Sequence, residues 1–200
     1  MDGIQKVTAK TSVTELVYML AYMSAWSTLT RADVVRRYGG FFDKDRCCYA
    51  EDAMLWLTIL LNEPVYFGLR PLAIFHREAS GLSANYERAR PIEPFLTYPA
   101  VVAEACPADL LPLLSRFYAF RACKTAAVLG YWGQWRAARL LLREFVTVQD
   151  WRLPYFVAAL IGCTPIAGVL GQVAQACKRS ISVHSHIGAE TPHKATSNVR

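Results

Sequence analysis

From Glu51 to Leu61 the chain places apolar residues on nearly every face of the helix that its spacing describes, and a helix apolar all round is a buried one. It is opened by the acidic pair Glu51-Asp52 and closed by Asn62-Glu63-Pro64, where a proline cannot extend the backbone ladder. Before it, Gly39-Gly40 favours a turn. Thr28 to Tyr38 reads as a short connector or helix. After it, Val65 to Leu69 and Leu72 to Phe75 are short runs rich in β-branched and aromatic residues, which predict strands.

The ends of the chain are more polar. Residues 1–11 read as a loose N-terminus, after which Ser12 with Glu15 three positions on forms a capping box ahead of Val13, Leu16, Val17 and Leu20 at helical spacing. Pro91, Pro94 and Pro99 mark a change of composition. Beyond them helices are expected at Ala108 to Leu129, at Trp135 to Thr147, and twice between Leu153 and Lys178. In the second of these, Ala138, Leu141, Leu142 and Phe145 share one face and Arg136, Arg139 and Arg143 the other, and Gly130-Tyr131-Trp132-Gly133 predicts a helical hairpin. Residues 179–200, rich in Ser, Thr and His, have too few apolar groups to offset the entropy of ordering and are expected to be disordered. The fold class is therefore α+β and mostly helical.

With 54% hydrophobic residues, 200 positions suffice for a sizeable core. The net charge of +6 is scattered, with no basic run and no basic–aromatic alternation, so nucleic acid is not expected as a partner. Cys47, Cys48, Cys106, Cys123, Cys163 and Cys177 include no Cys-x-x-Cys pair, and adjacent Cys47-Cys48 would strain a disulfide, which points to reduced thiols and a cytoplasmic setting. The apolar run from Leu16 to Trp26 is no convincing signal peptide, because Asp2 and Glu15 interrupt the pattern. No charge occurs between Arg152 and Lys178, but Gly162, Pro165, Gly168 and Gly171 break the stretch. Three alternatives stay open for it: a span, a hairpin lying on the inner membrane surface, or ordinary core.

Carboxylates in a first helical turn face unsatisfied N–H groups and the positive end of the helix dipole, so Glu51 and Asp52 taken alone read first as caps and second as proton acceptors. The segments around them bear on that choice. An Arg-bearing segment from Arg31 to Arg37, the Gly39-Gly40-Phe41-Phe42-Asp43 turn, Glu51-Asp52 followed by Leu55-Trp56-Leu57, and Pro71-Leu72 through Ser83 stand in one order. In that order residues 24–83 resemble the acceptor-side half of family 2 glycosyltransferases with the GT-A fold. The resemblance implies a partial acceptor-side subdomain over residues 12–90, followed by a helical C-terminal region over 91–178.

It also implies an inverting transfer of a sugar from a nucleotide-sugar to a saccharide, lipid-linked or protein acceptor, with Mg²⁺ or Mn²⁺ neutralising the leaving diphosphate. Asp52 matches the family's general base, and Glu51, Trp56 and Arg31 are acceptor-binding candidates, each with a plainer alternative: a cap, a core side chain, a solvated arginine. Where family members often carry an Arg two residues before a His, this chain has His76 and Glu78. Glu78, an oxygen ligand, and His76 are the metal-facing candidates, with a strand-end histidine as the plainer reading of His76. Asp43-Lys44-Asp45 spells Asp-x-Asp but occupies the family's turn, and is declined as the donor metal motif. The donor half is expected to be missing, to be supplied by a partner chain, and the isolated chain to turn over poorly. The rivals are a non-enzymatic helical protein seated on the membrane surface through residues 153–177, and an inactive remnant.

Overall fold

The computed structural model describes residues 2–44, 49–68, 70, 91–145 and 153–187. Their elements in chain order are β1 (Gly3–Gln5), α1 (Val13–Tyr22), α2 (Ala32–Arg37), α3 (Glu51–Asn62) and β2 (Val65–Phe67), then α4 (Pro94–Thr97), α5 (Pro99–Ala105), a 3-10 turn at Ala108–Leu110, α6 (Leu111–Tyr131), α7 (Trp135–Phe145), α8 (Leu153–Gly162) and α9 (Pro165–Ile187). The described residues are thus mostly helical with a small two-stranded antiparallel sheet, which agrees with the expected α+β, mostly helical class.

The all-apolar helix is central. Every residue of α3 from Met54 to Leu61 is buried, walled by Leu16, Met19 and Leu20 of α1 and by Phe95, Leu96 and Val102 of α4 and α5. Thr58 survives in that core because its hydroxyl donates to the Met54 carbonyl at 2.9 Å. At the far end Glu63 caps the helix and accepts from both Arg37 and Tyr38 of the α2 end, each at 2.8 Å. α1 starts as its capping box dictates: Glu15 N–H donates to the Ser12 hydroxyl at 3.2 Å, and Ser12 N–H to the Glu15 carboxylate at 2.7 Å. These bonds hold the Glu15 carboxyl below its ordinary range.

α6 is the strut of the carboxyl-terminal half, packing on α1, α4, α7, α8 and α9. Pro112 in its first turn suits a helix start, which leaves Ala108–Leu110 as a 3-10 lead-in instead of helix. Pro94 and Pro99 open α4 and α5 for the same reason. α6 and α7 form the predicted hairpin. Gly133 turns it at φ 79°, and Gln134 N–H reaches back to the Leu129 carbonyl at 2.8 Å. On α7 the expected division holds: Ala138, Leu141 and Leu142 are buried and Arg136, Arg139 and Arg143 exposed.

Two expectations about the ends are corrected. Gly3–Gln5 is not loose: it pairs antiparallel with β2, Gly3 opposite Phe67 and Gln5 opposite Val65, so a partner far along the chain satisfies its backbone. The tail expected to be disordered from residue 179 is helical to Ile187, because extending a helix already formed from Pro165 costs far less than nucleating one. The expected strand Val65 to Leu69 stops at Phe67, before Gly68. The strand expected from Leu72 to Phe75 and the Pro71-Leu72 through Ser83 motif lie outside the described residues, as do Asp45 and the Cys47-Cys48 pair.

α8 and α9 meet at a bend of 97°, at the break that Gly162 and Pro165 predict. No single helix among the described residues is long and apolar enough to cross a membrane.

Candidate functional site

Asp52 is the second residue of α3 and is half-buried. Its Oδ2 accepts the backbone N–H of Ala25 at 3.3 Å, which ties the start of α3 to the turn that follows α1. That turn is held by its own hydroxyls: Ser24 N–H donates to the Ser27 and Thr28 hydroxyls at 3.2 and 3.1 Å, and the Ser24 and Ser27 hydroxyls bond to each other at 2.6 Å. Ala50, the residue before the helix, takes the left-handed conformation (φ 55°, ψ 23°) and offers no side-chain cap. It is the one non-glycine with positive φ among the described residues, a strain on the order of 1 kcal/mol located at the mouth of the candidate base.

The glycine turn closes on the same end of α3. Gly39 and Gly40 both have positive φ (82° and 77°), a conformation that glycine adopts without steric cost. The chain thereby folds back so that Phe42 N–H donates to the Glu51 carbonyl at 3.4 Å, and the Phe41 ring stands edge-on to Trp56 with centroids 5.8 Å apart. Phe42 packs on Tyr98, whose ring also carries the Lys44 ammonium at 4.4 Å from its centroid.

The structure therefore brings together Asp52, Glu51, the glycine turn and the serine turn. Other candidates are placed differently. Trp56 is 3% exposed, so its ring belongs to the core, and its buried indole N–H finds no acceptor among the described residues. Arg31 lies just before α2, highly exposed, and grips Asp33 through Nε at 2.9 Å and Nη2 at 3.1 Å, which raises the guanidinium's pKa. His76 and Glu78 lie outside the described residues.

Among the described residues no three His, Cys, Asp or Glu side chains converge to hold a metal ion, and the metal-facing candidates His76 and Glu78 lie outside those residues. Sequence reasoning missed the Ala25 N–H and the Phe42–Tyr98 contact. The first had a signal, because hydroxyl-bearing Ser24, Ser27 and Thr28 in so short a stretch mark a turn. The second joins segments distant in sequence and had none. Comparison of the chain with protein-family models, with curated proteins and with solved structures finds no match.

Proposed function

We propose that this chain forms the acceptor side of a family 2-like glycosyltransferase, with a partial GT-A-like subdomain built around α3 and with Asp52 as the general base. The carrying observation is the Asp52 carboxylate itself. It sits at the start of a rigid core helix, only half-buried, and is aimed by one backbone N–H so that lone pairs stay available to a substrate. In the reaction an acceptor hydroxyl gives its proton to Asp52 while its oxygen forms a bond to the anomeric carbon. The bond from that carbon to the nucleoside diphosphate breaks, and the configuration inverts. Glu51 holds the glycine turn through its carbonyl, and the turn borders the place where an acceptor would lie.

The test is saccharide binding to the purified chain, first on a glycan array and then by titration of the hits. Asp52→Asn is expected to weaken acceptor binding by about tenfold, the loss of a hydrogen bond to a charged group, with the thermal midpoint retained. With nucleotide-sugar added, together with a nucleotide-binding partner chain where one is needed, acceptor-dependent release of nucleoside diphosphate should fall about 10²-fold or more in the same variant. Saccharide binding that is absent, or indifferent to Asp52, would overturn the proposal.

A further inference from the structure

The hairpin of α8 and α9 is packed the wrong way round for a surface facing only water. Its inward residues are small: Ala159, Gly162, Cys163, Ala167, Gly168 and Gly171 are buried. Its outward residues are large and aliphatic, with Val157, Leu160 and Ile161 on α8 and Ile166, Val169, Leu170 and Val173 on α9 between 45% and 64% exposed. The outward set follows helical spacing on both helices, so it forms continuous faces instead of scattered exceptions.

The inward contact is backbone against backbone. A Cβ built on Gly130 would collide with the Gly162 backbone, and one on Gly171 with the Tyr131 carbonyl oxygen. Close approach through small residues is how helices associate where water offers no hydrophobic drive between them.

Charge identifies what covers the outer face. From Leu111 to Ile187 the sequence carries nine Lys and Arg against two Asp and Glu, a net +7. Residues 1–110, which hold Asp52, carry eleven against thirteen, a net −2. The uncharged hairpin is flanked in sequence by Arg152 and by Lys178-Arg179, and exposed Arg139 of α7 donates to the Cys163 carbonyl at 2.7 Å, fixing a cation beside the bend. An apolar face flanked in sequence by cations, with Arg139 fixed beside its bend, complements an anionic lipid surface.

Length decides how it sits there. Ten residues of α8 reach about 15 Å, roughly half of a bilayer's hydrocarbon core, and the 97° bend turns α9 away from α8's direction. We infer that the α8–α9 hairpin is a monotopic membrane-docking element, its Val157–Val173 aliphatic face sunk in the interface of an anionic lipid leaflet. This inference does not rest on the transferase proposal.

The experiment is flotation of the full chain with vesicles of phosphatidylcholine, with and without phosphatidylglycerol. The chain should float with the anionic vesicles at low salt, and high salt should reduce recovery. The combined variant Ile166→Ser, Val169→Asn, Leu170→Gln replaces only exposed side chains, and it should lower recovery about tenfold or more while its helical circular dichroism stays at the wild-type level. Ile4→Ser, which removes a still more exposed side chain from β1, and Asp52→Asn should both float like the wild type. Absence of flotation with anionic vesicles, or undiminished flotation of the triple variant, would overturn the inference. So would a wild-type dimer that does not float and that the triple variant converts to monomer, since a second copy would then cover the face.

Discussion

Glu93 is the carboxylate most deeply committed to the fold among the described residues. It is 5% exposed, sits just before α4, and receives both the Arg121 guanidinium and, at 2.8 Å, the Thr125 hydroxyl of α6. Arg121 is itself largely buried, and its guanidinium also lies 5.7 Å from the Phe95 ring centroid. Glu93→Ala would strand that cation, so it should destabilise the chain by about 3 kcal/mol in urea titration, whereas Glu93→Gln keeps an acceptor for Thr125 and should cost clearly less. Nothing local in the sequence announces this triad, because α6 closes it from far along the chain. Asp52 is the opposite case: an acid in the first turn of an apolar helix is visible in sequence, although its Ala25 partner is not. Among the described residues Cys106, Cys123 and Cys163 are free thiols. Burial and the neighbouring Cys163 push Cys123 up to about 11, so its nucleophilic thiolate is scarce near neutral pH.

Elements whose signal is local were legible. The Ser12–Glu15 box, the α3 apolar run and the two faces of α7 all follow from spacing within a few turns. β1 was not, because three residues acquire strand geometry only from a partner on the far side of α3. The orientation of α8 and α9 was hidden for a different reason. From Tyr155 to Gly171 their composition is apolar almost throughout, so periodicity cannot say that the small side chains turn inward. That orientation reverses a familiar rule. Within a helix Gly→Ala normally stabilises, by up to about 1 kcal/mol in the interior, but at Gly162, the last residue of α8, the new methyl would lie 2.7 Å from the Ala126 carbonyl oxygen and 3.0 Å from the Ala127 Cα. Backbone cannot swing aside as a side-chain tip can. Gly162→Ala should therefore lower stability by about 1–3 kcal/mol, measured by urea denaturation, and a gain would show that α6 and α8 are farther apart than described.

Over the whole molecule, two helices organise everything else: α3 in the amino-terminal half and α6 in the carboxyl-terminal half. Amide exchange should be slowest in these two and fastest in α2, which buries no residue and is tied down chiefly through Arg37, Tyr38 and Glu63. Uniform protection across the helices would contradict that order. The backbone-to-backbone joint of α6 with α8 and α9 has a further consequence. Most packing in a folded chain is held by the reluctance of water to surround hydrocarbon, and it slackens where water is absent. A seam of glycine against glycine owes its cohesion to short-range dispersion between peptide units, which is present on either side of the water boundary. On the inference that the α8–α9 face docks on lipid, this joint would keep its packing on either side of the water boundary without being rebuilt, like a hinge pin that needs no lubricant.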